Sequence, residues 1–124
     1  MKKLAGKRIL LVEDNKTNQI VLISILEDSK LIIDIANNGQ EAVDMVATNN
    51  YKLILMDLQM PILDGFQATK IIRETNTNIP IIALSANVLP EDVQRTKEYG
   101  MHEHLKKPIE VHKLYQVLLK YIKT

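Results

Sequence analysis

The chain has 124 residues, and 16 lysines and arginines against 15 aspartates and glutamates give a formal net charge of +1 at pH 7. This length favours one domain, and 46% hydrophobic residues are enough for a packed core, so disorder is not expected. The small charge argues against direct nucleic-acid binding, the absence of cysteine excludes disulfides and thiolate chemistry, and no apolar run approaches a membrane span or signal peptide. We therefore expect a cytoplasmic domain that does not contact the membrane.

Five short segments are predicted to be β-strands. Four are apolar runs with little alternation, which is typical of strands buried on both faces of a parallel sheet. A weaker fifth candidate, His102 to Lys106, has Leu105 as its only strongly apolar residue. In chain order the first four runs span Ile9 to Val12, Leu31 to Ile35, Leu53 to Met56 and Ile79 to Leu84.

A helical pattern follows each predicted strand. The Asn37-Asn38-Gly39 sequence is expected to turn the chain and cap a helix, and Gly100 to end one. The fourth helix has the weakest apolar face, so it should be loosely anchored. The five helices are predicted over Thr17 to Glu27, Glu41 to Ala47, Gln67 to Thr75, Pro90 to Tyr99 and Val111 to Ile122. The apolar residues of the first helix are Ile20, Leu22, Ile23, Ile25 and Leu26.

This alternation predicts one α/β domain over residues 1–124, with a core of about 7–123 and a parallel sheet covered by helices on both faces. Right-handed crossovers place the C-terminal ends of all the strands at one edge, where open α/β sheets hold their functional sites. The residues expected at that edge are Glu13-Asp14, Asp57, Ser85 and Lys106-Lys107-Pro108.

Taken singly, most of these residues have ordinary interpretations. Asp14, followed by Asn15, could cap the next helix, Ser85 could be a turn residue, and a lone lysine is usually solvated. Asp57 is harder to dismiss, because it directly follows a run that should be buried. A charge at that boundary is costly unless it is paired or metal-bound.

Together the residues match the needs of phosphoryl transfer. Three neighbouring carboxylates repel one another, and Mg²⁺, which prefers oxygen ligands, relieves this repulsion and offsets the charge of an incoming phosphoryl group. Lys107 would add a positive charge, and the Ser85 hydroxyl could donate to a phosphoryl oxygen. Asp57 is the predicted nucleophile, because it lies on the central strand between the metal side and the Lys/Ser side.

With these residues at these spacings, the sequence resembles a two-component response-regulator receiver domain. The resemblance covers roughly residues 7–123, and the motifs match in spacing as well as in identity. The matching segments are Leu11-Val12-Glu13-Asp14-Asn15, Met56-Asp57-Leu58-Gln59-Met60-Pro61, Asp64-Gly65, Ala83-Leu84-Ser85-Ala86-Asn87 and Lys106-Lys107-Pro108. The resemblance implies a flavodoxin-like doubly wound (βα)5 fold with a five-stranded parallel sheet of order 2-1-3-4-5. Receiver domains are a known example of this fold, so the strand order comes from the resemblance and not from the sequence pattern.

The resemblance also implies roles for individual residues. Asp57 would accept a phosphoryl group from a phosphohistidine on a histidine kinase or histidine phosphotransfer domain. Lys107, with a cis peptide before Pro108, would contact the phosphoryl group, and Ser85 would move toward it after transfer. The phosphorylated form would then favour an active state of the face around strands 4 and 5 and helix 4.

Further implied roles concern the metal and the lifetime of the phosphoryl group. Mg²⁺, with Mn²⁺ as an alternative, would be held by the side chains of Glu13, Asp14 and Asp57. The backbone carbonyl of Gln59 would complete the protein ligands. The side chains of Gln59 and Asn87 would border the attacking water and set the rate of dephosphorylation.

Two positions depart from the family pattern. His104 stands where Tyr or Phe is usual, and we hypothesise a weakened or pH-sensitive switch there, with simple filling of the same slot as the alternative. Glu13 replaces Asp in the commoner acidic pair, which could alter metal geometry. His102 and His104 lack further ligands nearby in the sequence, so a transition-metal site is not expected.

The predicted function is a signalling phosphoacceptor that assists its own phosphorylation and dephosphorylation, rather than an enzyme. Motif style favours the receiver of a hybrid sensor kinase, in which the parent chain would be a histidine kinase, over a stand-alone response regulator. The chain is expected to be a monomer or a weak phosphorylation-dependent dimer. Three alternatives are disfavoured. The acidic set with Lys107 and Ser85 argues against an unphosphorylated pseudo-receiver scaffold. Gln59, in place of a second acid, argues against an aspartyl-phosphate hydrolase, and Glu13-Asp14 in the first loop argues against a flavin-binding protein.

Overall fold

A computed structural model describes residues 3–60, 62–75, 78–86 and 90–122 of the chain. Strands and helices alternate over these residues, as predicted. No helix in this part of the chain is long and apolar enough to span a bilayer. The elements are β1 Arg8–Val12, α1 Lys16–Leu26, β2 Ile32–Ala36, α2 Gly39–Thr48, β3 Leu53–Asp57, α3 Gly65–Thr75, β4 Ile81–Ser85, α4 Pro90–Glu98, β5 Glu103–Lys106 and α5 Val111–Tyr121.

All neighbouring strands pair in parallel, and the sheet order is β2-β1-β3-β4-β5, which confirms the expected fold. Each side of the sheet has its own apolar core. Successive side chains of a strand point to opposite faces, so Leu10 and Val12 face the core under α2 and α3, whereas Ile9 and Leu11 face the core under α1 and α5. The sheet is therefore covered by helices on both faces.

The prediction that β2 is buried on both faces is wrong. Ala36 is the only fully buried residue of this strand, and Ile32 is 42% exposed. The cause is position in the sheet, because β2 lies at an edge and pairs with β1 alone among the described strands. By contrast, every residue of the central strand β3 is buried.

The predicted apolar face of α1 is also partly wrong. Ile20 and Ile23 are 64% and 38% exposed, and the buried residues of the helix are Gln19, Leu22 and Leu26. A polar side chain therefore takes a place on the buried face of α1. Ile20 and Ile23 lie on the surface instead, whereas Ile25 is half-buried and packs against the core.

The fourth strand begins at Ile81, two residues later than predicted. Ile79 is buried, as its apolar character suggested, but Pro80 follows it. Proline has no backbone N–H to donate to a neighbouring strand, although its carbonyl oxygen still accepts a hydrogen bond from the Ile54 N–H at 2.9 Å. The regular ladder therefore starts after the proline.

Helix α4 is sparsely anchored, as expected. Among its described residues, Thr96 is the only buried one. Tyr99, just past its end, packs on the Phe66 ring at 5.3 Å between centroids, and the Arg95 guanidinium lies 4.1 Å from the same ring centre. Gly100 ends this segment with φ +88°, as predicted from its sequence position. A helix held by so few buried contacts can shift at low cost.

Ile62, in the loop after β3, has an unfavourable backbone conformation. Its φ of 71° lies in the left-handed region, which is unfavourable for a β-branched residue, and its side chain is 80% exposed. Ile62→Asn should raise the free energy of unfolding by about 1 kcal/mol, because asparagine tolerates this conformation. Urea unfolding measures the change. Ile20→Asn is the matched control on an exposed helical residue, and equal effects at both positions would contradict the strain argument.

Candidate functional site

The sheet topology gathers the predicted residues at the C-terminal edge of the strands. Val12 is level with Met56 in the pairing of β1 with β3, so the next residues, Glu13 and Asp57, lie side by side. Ser85 is level with Lys106 in the pairing of β4 with β5, which brings the end of β5 to the same edge.

Lys107 lies between the two buried carboxylates. Its Nζ is 2.8 Å from Glu13 Oε1 and 3.3 Å from Asp57 Oδ2. The side chains of Glu13 and Asp57 are only 1% and 6% exposed, so the ammonium compensates charges that water hardly reaches. The peptide bond between Lys107 and Pro108 is cis, as the resemblance implied.

Asp14 completes a cluster of three acids. Carboxylate oxygens of Glu13, Asp14 and Asp57 all lie within 4.8 Å of one another. Asp14 is exposed and does not cap α1, because that role belongs to Asn15, whose side-chain oxygen accepts a hydrogen bond from the Asn18 N–H at 3.0 Å. The Asp14 carboxylate is therefore available to the cluster.

The two buried carboxylates differ in pKa. Burial raises the pKa of Asp57, the charge of Glu13 raises it further, and Lys107 offsets part of the rise, so that it stands at about 6. Burial acts in the same direction on Glu13, but hydrogen bonds from Lys107 and from the Asn15 N–H outweigh it and lower the pKa. Burial lowers the pKa of Lys107, yet its hydrogen bond with Glu13 and the charges of both acids raise it overall.

This donor set fits a hard divalent cation. Three carboxylates against one ammonium leave an excess of negative charge at neutral pH. Mg²⁺ takes oxygen ligands at about 2.0–2.1 Å in octahedral geometry, and carboxylate oxygens this close to one another can share one ion. The exposed Asp14 leaves one side of the cluster open to solvent.

Ser85 and Gln59, two further predicted residues, lie beside this centre. Ser85 ends β4 and is 3% exposed, and its backbone oxygen accepts a hydrogen bond from the Lys107 N–H at 2.8 Å. The Gln59 N–H donates to Asp57 Oδ1 at 3.2 Å, and the Gln59 side chain is exposed. Asn87, predicted to affect the lifetime of the phosphoryl group, lies outside the described residues.

His104 is half-buried on β5, and neither ring nitrogen has a hydrogen-bond partner among the described residues. Burial lowers its pKa, and the charge of Asp92 offsets part of that effect. His102 makes different contacts, since its Nδ1 accepts a hydrogen bond from the Ile81 N–H at 3.3 Å. The acidic cluster is the only group in the described part of the chain with metal-ligand geometry, so neither histidine belongs to such a group.

Gly65 allows the loop after β3 to pack closely against the backbone of Asp57. Its N–H donates to the Leu58 oxygen at 3.1 Å, and a Cβ at this position would overlap the backbone oxygen of Asp57. The Asp64-Gly65 pair in the sequence indicated a turn here but gave no sign of this close approach.

One residue near the site was missed by sequence reasoning. Gln19 is 5% exposed, and its side-chain nitrogen donates to the backbone oxygen of Glu13 at 2.6 Å and to Asn37 Oδ1 at 2.9 Å. The available signal was its place in α1, three residues before Leu22 and on the same helix face. A polar residue at a core position needs a buried partner.

Comparison with known proteins identifies the family. The family model described as the response regulator receiver domain matches residues 9–119. Hybrid signal transduction histidine kinase B of Dictyostelium discoideum is 42% identical over 94% of the chain, and histidine kinase 5 of Arabidopsis thaliana is 35% identical over 98%. The chain spans only 6% and 16% of the lengths of these two relatives.

Solved structures agree with the sequence comparisons. The receiver domain of sensor histidine kinase PA1611 from Pseudomonas aeruginosa, with magnesium coordinated in its active-site cleft, is 38% identical, has a TM-score of 0.89 and covers 97% of this chain and 100% of that one. The receiver domain of Saccharomyces cerevisiae Ssk1, solved with the histidine phosphotransfer protein Ypd1, is 32% identical, has a TM-score of 0.88 and covers 96% and 90%. The chain is therefore a member of the response regulator receiver domain family of two-component signalling.

Proposed function

We propose that the chain is a phosphoacceptor in a phosphorelay and that Asp57 receives the phosphoryl group. The observation that carries the proposal is the contact of the Lys107 ammonium with both Glu13 and Asp57 inside the three-acid cluster. A carboxylate oxygen of Asp57 attacks phosphorus, the bond from phosphorus to the imidazole nitrogen of the donor breaks, and that nitrogen keeps the electron pair. Lys107 then balances the charge on the transferred group.

The proposed metal ligands are the side chains of Glu13, Asp14 and Asp57 and the backbone oxygen of Gln59. When bound, Mg²⁺ or Mn²⁺ would offset negative charge on the reacting phosphoryl group. Lys107 keeps Asp57 largely ionised at neutral pH, because without its ammonium the pKa of this carboxyl would rise further. The chain supplies the acceptor and its electrostatic surroundings, and we propose a signalling role for it rather than turnover of a substrate.

The proposed switch runs from Ser85 to α4. Ser85 is buried beside the site, and the segment that follows leads to the most weakly anchored helix of the described fold. A hydrogen bond from the Ser85 hydroxyl to the phosphoryl group would hold the end of β4 toward Asp57 and so bias α4, the next helix along the chain. Because α4 has so few buried contacts, a modest interaction is enough to shift its population between two positions.

The phosphoryl donor is proposed to dock on α1. Ile20, Val21 and Ile23 form an exposed apolar patch on this helix. A cavity of about 230 Å³ lies next to this helix, and its lining includes Val21 of the patch and Glu13 and Lys107 of the site. A phosphohistidine must reach Asp57, so the partner that brings it, a histidine kinase or histidine phosphotransfer domain, would cover this patch. The relatives named above are histidine kinases, and this chain matches only 6% and 16% of their lengths. This favours a hybrid kinase as the parent protein.

Beryllofluoride, which mimics an aspartyl phosphate, tests the proposed function. With Mg²⁺ present, we expect amide resonance shifts at Asp57, Ser85, Lys107 and along α4. The Asp57→Ala variant should show none of them, because it has no carboxylate to hold the beryllium. Shifts that persist in this variant, or shifts confined to exposed surfaces, would contradict the assignment of Asp57 as phosphoacceptor.

His104 gives a second, pH-dependent prediction. Its pKa is lowered mainly by burial, so the ring is neutral at pH 7 and takes up a proton only below its usual value of 6.5. A proton on the half-buried ring weakens its packing, so acid should weaken the beryllofluoride-induced shifts of α4. In the natural chain we expect equal shifts at pH 8 and pH 7, and weaker shifts as the pH falls below 6.5.

His104→Tyr is the control, since it leaves the titration of Asp57 in place and removes that of the imidazole. The difference between the two proteins isolates His104. Identical pH profiles would mean that His104 only fills the slot usually taken by Tyr or Phe.

A further inference from the structure

The buried amide of Gln19 points to a role beyond packing. Gln19 shares the inner face of α1 with Leu22 and Leu26. A primary amide in such a place is unfavourable unless its polar atoms are hydrogen-bonded. An apolar residue would satisfy the packing alone, so the hydrogen bonds made by this side chain indicate what it does.

Both protons of the Gln19 amide are used. One is donated to the backbone oxygen of Glu13 at 2.6 Å, and the other to Asn37 Oδ1 at 2.9 Å. Glu13 is the buried acid of the cluster, and Asn37 lies in the turn between β2 and α2. The Gln19 side chain therefore links the Glu13-Asp14 segment after β1, here called the acidic loop, to the loop that follows β2.

The second loop is itself well fixed. The Asn37 backbone N–H and side-chain nitrogen donate to Glu41 Oε1 at 3.1 and 3.2 Å. Asn38 Oδ1 accepts the Glu41 N–H at 2.8 Å and caps α2. Gln19 thus anchors the acidic loop to a capped helix end.

The acidic loop needs such an anchor because of Asp14. This exposed residue makes no hydrogen bond or ion pair through its side chain within the ranges that the structure describes, yet its carboxylate lies within 4.8 Å of the other two acids. Only the backbone on either side places it. On the Glu13 side, that backbone is held by the bond from the Glu13 N–H to the Ala36 oxygen at 3.0 Å and by the Gln19 amide.

We propose that Gln19 is a positioning residue of the metal site, which holds the Glu13-Asp14 backbone so that both carboxylates face Asp57 before any cation arrives. This inference rests on the proposed function, because it concerns the same cluster. Ligands arranged in advance lose less conformational freedom on binding, and outer residues that orient metal ligands commonly change metal affinity by about 10–100-fold.

The test compares Mg²⁺ affinity in two variants and a matched control. Gln19→Met keeps the size of the side chain and removes both donors, and Gln19→Glu keeps polarity but has at most one donor, when it is protonated, for the two oxygens. Tyr51→Phe is the control, because it removes a hydrogen bond of 2.8 Å to Asp34, which lies in the middle of β2 and is not part of the acidic cluster. Titration of the metal-free proteins with Mg²⁺, followed by amide resonance shifts, gives each dissociation constant without any phosphoryl transfer.

We expect Gln19→Met and Gln19→Glu to weaken Mg²⁺ binding about 10-fold, and Tyr51→Phe to leave it unchanged at a similar loss of stability. Saturating Mg²⁺ should restore the rate of phosphorylation by acetyl phosphate in the Gln19→Met variant. Unchanged Mg²⁺ affinity in a folded variant, or equal weakening in Tyr51→Phe, would overturn the role of Gln19. Failure of the natural chain to bind Mg²⁺ would instead refute the proposed function.

Discussion

Asp57→Asn should stabilise the metal-free protein by about 1–3 kcal/mol at pH 7 while abolishing phosphoryl uptake. The pKa of Asp57 is raised from 3.8 to about 6, chiefly by burial and by the charge of Glu13. One pKa unit corresponds to about 1.4 kcal/mol between the two protonation states, so ionised Asp57 costs the folded state free energy. Asparagine occupies the same space without that charge, and Lys107 keeps its 2.8 Å contact with Glu13.

The sign of the pH dependence follows from the same shift. The folded state binds a proton at Asp57 more tightly than the unfolded chain does, so the cost of ionisation is complete above about pH 6 and disappears below pH 3.8. Urea unfolding without divalent ions should therefore show a large gain for Asp57→Asn at pH 7 and almost none near pH 4. A variant that is less stable than the natural chain at pH 7 would contradict the assignment of a strained, ionised carboxylate.

Lys107→Met should have the opposite effect on stability. Removal of the ammonium leaves Glu13 and Asp57 buried without their common counter-charge, and loss of one partner of such a group costs about 2–4 kcal/mol. The same change should tighten Mg²⁺ binding, because Lys107 no longer competes with the cation for the carboxylates. Addition of Mg²⁺ should therefore recover more stability in this variant than in the natural chain.

Thermal unfolding with and without Mg²⁺ measures both effects. Lys106→Met is the matched control, since Lys106 is exposed one position earlier on β5 and contacts neither acid. Its stability and its response to Mg²⁺ should resemble those of the natural chain. Equal behaviour of the two variants would mean that Lys107 does not balance the charge of the cluster.

The fold was largely predictable from the sequence because a parallel sheet has a simple local signature. The central strand is a continuous apolar run from Leu53 to Met56 that ends in Asp57, and such a short run favours a buried strand over a helix. Chain topology then forces the distant ends of β1, β3, β4 and β5 to one edge. The positions of the acids, Ser85 and Lys107 at that edge follow from the strand boundaries alone.

Features that depend on packing between elements were not predictable. The exposure of Ile32 and Ile20 depends on where β2 and α1 lie relative to the other elements, and hydrophobicity alone gives no information about this. The position of Gln19 on the inner face of α1 hinted at a buried polar contact, but its partners, Glu13 and Asn37, are identified only in the folded chain. The rise in the pKa of Asp57 likewise needs the burial and the neighbouring charge, which are properties of the folded chain.

Incubation of the natural chain with acetyl phosphate, followed by mass spectrometry, shows whether Asp57 takes up phosphate. We expect the gain of one phosphoryl group, located by peptide fragmentation at Asp57, removed by hydroxylamine and dependent on Mg²⁺. Phosphate on another residue, or labelling at Asp57 that proceeds equally well in excess chelator, would contradict it.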